Sequence, residues 1–113
     1  MCSTNLLQKR HEIALNYAVS EIVKWQYAKS ITEIYLYGSY ARGEQRYDSD
    51  VDIYVICSQN VPATALRDLK IAVMPEDYSL PEVEVKFGFR PLEEETDFFH
   101  ANIRKDGILL WKK

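Results

Sequence analysis

Between Ile34 and Cys57 the chain reads Ile-Tyr-Leu-Tyr-Gly-Ser-Tyr-Ala-Arg-Gly-Glu-Gln-Arg-Tyr-Asp-Ser-Asp-Val-Asp-Ile-Tyr-Val-Ile-Cys. An apolar run stops at a small-residue turn, a polar loop follows, and a second apolar run starts at Val51. The simplest fold for such a segment is two strands joined by a loop. Strand side chains alternate between faces, so Asp50 and Asp52 share one face while Val51, Ile53 and Val55 take the other.

That pairing points to chemistry. Two neighbouring carboxylates raise each other's pKa, and keeping both ionised at neutral pH calls for a cation between them. Mg2+ suits the position, because it takes hard oxygen ligands from one or two carboxylates together with substrate phosphates. Gly38 lets backbone approach a phosphate closely, Ser39 adds a hydroxyl donor, and a short helix starting there would turn free amides toward an anion. Tyr40, Ala41 and Arg42 would form its first turn. Arg42 places a positive charge near those phosphates, or else pairs with Asp48 or Asp50. The expected site is thus one for a metal-bound nucleoside triphosphate. Taken singly, each piece is also ordinary turn chemistry.

Gly-Ser, ten intervening residues and Asp-X-Asp, filled in here as GSYARG and DSDVD, resemble the signature of the DNA polymerase beta-like nucleotidyltransferase superfamily. The likeness is to its minimal single-domain branch, the MNT proteins of HEPN/MNT toxin–antitoxin pairs. It runs from the helix before Ile34 to the closing Gly-Ile-Leu-Leu-Trp. The resemblance implies an α/β (α+β) fold, a small mixed sheet flanked by helices. It also implies two Mg2+ ions and ATP as substrate, with Asp50 and Asp52 ligating both ions and Gly38 and Ser39 holding the outer phosphates. AMP would pass to a hydroxyl, and the implied acceptor is a tyrosine of a helical HEPN-type ribonuclease toxin, which adenylylation silences.

Family members carry a third acid on a neighbouring strand, within a Val-Asp-apolar triplet. Here Glu82-Val83-Glu84-Val85-Lys86-Phe87 sets Val83, Val85 and Phe87 on one face and the three charged residues on the other. Glu84 matches the third acid, joining the ion at the attacking oxygen and taking up its proton. It is Glu where Asp is usual, and the extra methylene moves the carboxylate outward from a metal with strict geometry. Three readings stay open: Glu84 completes a working site, the site binds nucleotide and masks its partner with little turnover, or Glu84 only pairs with Lys86 on a solvated face. A small aminoglycoside-like acceptor is a further alternative.

The other features set bounds. The 113 residues suffice for one domain, 1–113, but not for a second substrate-binding lobe. Net charge is −3, without runs of Lys or Arg alternating with aromatics, which argues against direct nucleic-acid binding. Only Cys2 and Cys57 are present, so a disulfide framework is not expected, and no secretory or membrane-crossing stretch is seen; a reduced cytoplasm fits. His11 and His100 lie far apart and make a poor zinc pair. Homo- and hetero-oligomers both remain open.

The expected elements are a helix over Asn5 to Lys29 with Leu15, Ala18, Val19 and Ile22 on its packed stripe and Asn5 with Gln8 as a capping pair, then strands Ile31 to Tyr37 and Val51 to Cys57. A helix over Ala63 to Val73 ends before Pro75, and the strand carrying Glu84 follows. Leu92, Thr96, Phe99 and Ile103 mark one last helix stopped at Gly107, and Ile108 to Trp111 closes the sheet as an edge strand. Of the eight tyrosines, Tyr40 and Tyr47 are candidates to touch a nucleobase, although strand and turn tyrosines more often pack in cores.

Overall fold

In the computed structural model of the chain, residues 2–113 are described, with side chains from Lys9 onward. Helix α1 (Cys2–Lys24) leads through a 3-10 turn at Ala28–Ser30 into strand β1 (Ile31–Tyr37), and the one-turn helix α2 (Gly38–Ala41) follows. Next come β2 (Val51–Cys57), α3 (Ala63–Ala72), β3 (Val83–Gly88), α4 (Phe98–Asp106) and β4 (Ile108–Lys112). The strands form one mixed sheet ordered β3-β2-β1-β4. β1 lies antiparallel to both β2 and β4, while β2 and β3 run parallel. The parallel pair needs a crossover, and α3 supplies it.

Each face of the sheet has its own cluster. Ile34, Leu36, Val51, Ile53, Val55, Val83 and Val85 point to the side packed by Ala14, Ala18 and Ile22 of α1 and Ala65, Leu69 and Val73 of the α3 region. The opposite side holds Tyr54, Ile56, Leu92 and Ile103, with Tyr35, Tyr37 and Phe99 against them. β2 is therefore the central strand in packing terms, buried on both faces from Ile53 to Cys57. Only Asp52 breaks that burial, as a half-buried acid among apolar neighbours.

Both strands of the diagnostic segment fall where the pattern placed them. α1 differs at both ends. It begins at Cys2, upstream of Asn5, so the expected cap does not lie at its start; the Asn5–Gln8 side-chain pair, like the Cys2 thiol, lies outside the described side chains. It stops at Lys24 instead of Lys29 because Trp25 docks: its indole N–H donates to the Ala65 carbonyl at 3.2 Å and its ring packs 6.0 Å from Phe87. The single last helix is in fact a 3-10 turn, Leu92–Glu94, followed by α4. Asp97 causes the break as N-cap of α4, its carboxylate accepting the His100 backbone N–H at 2.9 Å. Gly107 follows the last residue of α4, as expected.

Candidate functional site

Three strands bring the acids together. In the ladder Tyr37 pairs with Asp52, and Asp52 with Glu84, so the three side chains stand in a row across β1, β2 and β3 on the α4 side of the sheet. Asp50 immediately precedes β2, at the end of the loop from Arg42. The expected acids therefore meet at one corner of the sheet, where β1 ends and β2 and β3 begin.

Gly38 backs directly onto Asp52. Its φ is +82°, in the left-handed region that disfavours a Cβ. A Cβ built there would collide with Asp52 Oδ2 and lie 3.2 Å from Cγ. The glycine is thus required twice, by backbone conformation and by the carboxylate in the space beside it. Ser39 follows within the helical turn of α2, which opens at Gly38 as expected.

The Asp52 carboxyl is pushed above the ordinary carboxylate range, first by burial and then by the charges of Glu84 and Asp50, with Lys86 and Arg42 opposing. Burial, with Asp52 and Glu84 nearby, also pushes Tyr37 upward, so its phenol stays neutral beside them. Hard-oxygen donors gathered in this way fit a divalent cation.

The remaining expected residues fall into place around that core. Glu84 Oε1 lies 3.5 Å from Lys86 Nζ, and its side chain is 52 % exposed. It lines, with Asp50, Lys70, Met74 and Lys86, a cleft of about 360 Å³ along the β3 edge. The larger apolar hollow of about 510 Å³, lined by Ile22, Val23, Ile31, Ile34 and Trp111, lies elsewhere and carries no acid. Arg42 pairs with Glu44 at 2.9 Å, in place of Asp48 or Asp50, yet its charge still reaches Asp52. Tyr40 packs its ring 5.3 Å from His11, and one face of Tyr47 is taken by Arg10, 3.8 Å above it.

A second polar cluster has no counterpart in the linear pattern. The Tyr54 hydroxyl is 2.9 Å from His100 Nε2, and His100 Nδ1 lies 2.8 Å from both Asp97 oxygens. Ligand atoms of Glu95, Asp97 and His100 lie within 4.8 Å of one another, a tighter group than Asp50, Asp52 and Glu84 form. Its donors and acceptors are engaged with each other in capping α4 and fastening it to β2. Cys57 is free and buried, and burial pushes its thiol up to about 11. Arg10 and His11, bonded to loop carbonyls beside the acids, also went unread; the visible signal was His11 on the same helical stripe as Ala14, Ala18 and Ile22.

The profile of the family described as "Polymerase beta, Nucleotidyltransferase" matches residues 19–113. No curated protein matches the sequence. Among solved structures, one chain of a toxin–antitoxin complex with AMP-PNP superposes with a TM-score of 0.62 at 21 % identity, over 85 % of this chain and 72 % of that one. A protein from Sulfolobus solfataricus assigned as a nucleotidyltransferase gives 0.59 at 19 % identity, over 95 % and 87 %. A chain from the Shewanella oneidensis complex of tri-AMPylated HEPN toxin with MNT antitoxin gives 0.54 at 18 % identity, over 95 % and 73 %. At these identities the structures share the fold. Among the described residues, no helix is long and apolar enough to cross a membrane.

Proposed function

The chain belongs to the polymerase beta nucleotidyltransferase family, and from that premise we propose that it transfers AMP from ATP to a hydroxyl, most plainly a tyrosine of a HEPN-type ribonuclease partner, as an antitoxin acting by adenylylation. The observation that carries the proposal is the register of Asp52 beside Glu84 with Gly38 pressed against it. That arrangement sets an acid pair directly against the Gly38 turn. The similar assemblies, described as containing AMP-PNP and an AMPylated HEPN toxin, support the nucleotide and the acceptor.

Asp50, Asp52 and Glu84 would hold Mg2+, two ions in the full site, and the bound metal would supply charge neutralisation on the phosphates. Gly38 and Ser39 seat the outer phosphates, and Arg42 adds positive charge on the same side. The acceptor hydroxyl oxygen forms a bond to the α-phosphorus, the bond to pyrophosphate breaks, and Glu84 takes up the hydroxyl proton. Glu84 suits that role because its carboxylate is half exposed and held only by Lys86.

The test is transfer from ATP labelled on the α or the γ phosphate, with the candidate helical partner and Mg2+. Only the α label should appear on the partner, and Asp50→Asn should leave it unlabelled; wild-type transfer by that variant would falsify the assignment. The wider spacing of Asp50, Asp52 and Glu84, compared with the Glu95, Asp97 and His100 group, favours one second reading, a weakly active module that neutralises by masking. An Asp50→Asn, Asp52→Asn chain that still neutralises its partner would establish it.

A further inference from the structure

We propose that Arg10 and His11 are positioning residues for this site: from α1 they fix the two chain segments that deliver Asp50 and Glu84, although neither is bonded to an acid. The inference rests on the carboxylate site described above.

His11 is 3 % exposed, and its Nε2 lies 2.8 Å from the Ser49 carbonyl oxygen. A carbonyl only accepts, so Nε2 carries a hydrogen and donates it to the peptide unit joining Ser49 to Asp50. Tyr40, two residues after Gly38, closes over the imidazole. Arg10 reaches both segments at once. Its Nε donates to the Ser79 carbonyl at 2.7 Å, one guanidinium NH2 group donates to the Tyr47 carbonyl at 3.0 Å, and the guanidinium stacks on the Tyr47 ring. Just before the strands begin, Val51 N–H donates to the Glu82 carbonyl at 2.9 Å and ties the segments to each other.

These bonds oppose a specific force. Asp50, Asp52 and Glu84 are three carboxylates gathered at one end of the sheet, which repel when ionised, and the chain from Arg42 to Asp50 has no strand or continuing helix to resist that force. Its internal restraint is a small turn in which Ser49 N–H donates to the Arg46 carbonyl and Arg46 N–H donates to Ser49 Oγ. Left to that turn, the loop would relax outward, and a ligand would have to reorder it on binding. Two carbonyl bonds from one helical turn, to Tyr47 and Ser49, hold the Asp50 loop in place beforehand, and a third, to Ser79, holds the segment that leads to Glu84.

The experiment uses the full chain and Mn2+ alone, titrated with detection of free ion by electron paramagnetic resonance, together with amide exchange across residues 47–50. Arg10→Met and His11→Leu remove donors while keeping bulk; His11→Gln keeps an N–H able to reach Ser49. At a temperature where circular dichroism shows each variant folded, the first two should bind Mn2+ at least about tenfold more weakly, the range of lost outer-shell support, and His11→Gln should recover most of the loss. Exchange at 47–50 should speed up in the same two variants. Mn2+ affinity within about twofold of wild type in folded Arg10→Met overturns the inference, since supporting bonds of this kind are worth far more. If His11→Leu does not fold, Arg10→Met decides alone, because Arg10 is only partly buried. A wild type that takes up no Mn2+ sinks the site itself, a different failure from a wild type that binds and variants that bind as well.

Discussion

Gly38 and Gly43 form a matched pair for testing how the Asp52 corner is built. Both have positive φ, +82° and +72°, so alanine at either incurs a left-handed cost of about 1–2 kcal/mol. They differ in what the new methyl meets: nothing lies within 4 Å at Gly43, whereas at Gly38 it lands on the Asp52 carboxylate. Asp52 must then leave its rotamer, adding about 0.5–1.5 kcal/mol. With an unfolding entropy of about 2.1 cal/mol/K per residue over 113 residues, 1 kcal/mol is worth about 4 °C. Gly38→Ala should therefore melt about 4 °C below Gly43→Ala, and the gap should close when both are made in an Asp52→Ala chain. Differential scanning calorimetry reads the melting, and Mn2+ titration reads the displaced carboxylate: about tenfold weaker binding for Gly38→Ala, unchanged for Gly43→Ala. Equal melting losses together with equal Mn2+ affinities would refute the claim that Gly38 is kept to make room for Asp52.

The fastening of α4 yields two more predictions. A Cβ at Gly88 would run into the Tyr54 hydroxyl and sit 2.7 Å from Cζ, and that ring is 2 % exposed and bonded to His100, so Gly88→Ala should cost about 1–3 kcal/mol by overpacking; in a Tyr54→Leu chain, which lacks both atoms, the same change should cost less than half as much in urea melts, and an undiminished cost would break the argument. Asp97 is held below the ordinary carboxylate range by the His100 backbone N–H first and the His100 ring second, so its stabilising contribution is complete above its unfolded pKa of about 3.9 and is lost as pH falls through the lower folded value. Asp97→Asn should accordingly flatten the fall in melting temperature as pH drops below about 4, and parallel curves for the two proteins would contradict it.

β1 and β2 could be read to the residue because each is bounded by groups with one obvious role: Gly38 ends the first, and the acidic pair opens the second. The end of α1 was hidden because nothing between Asn5 and Lys29 breaks a helix locally; the stop comes from Trp25 finding Ala65, a contact across the fold. The split in the last helix had a local signal, Asp97 three residues before His100, that a count of apolar spacings passes over. Within the site, the meeting of Asp52 and Glu84 followed once the strands paired in parallel register. The support from Arg10 and His11 did not, since side-chain bonds to distant backbone carbonyls leave no pattern in either partner's sequence. Arg42 shows the opposite failure: the expected pairing was with Asp48 or Asp50, and the bonded partner, Glu44, lay only two residues away.

The mixed sheet also sets the order in which the corner can assemble. Gly38, Ser39, Asp50 and Asp52 all belong to the antiparallel unit β1–β2, whose pairing closes a modest loop. Glu84 joins only when β3 lies parallel to β2, after α3 has crossed over, and contacts of longer sequence separation form more slowly. The part built from Gly38, Ser39, Asp50 and Asp52 is thus a property of one contiguous segment, and Glu84 arrives with the crossover. Changes that loosen the α3 contacts of Leu69 or Val73 would delay the third acid while leaving the first two in place.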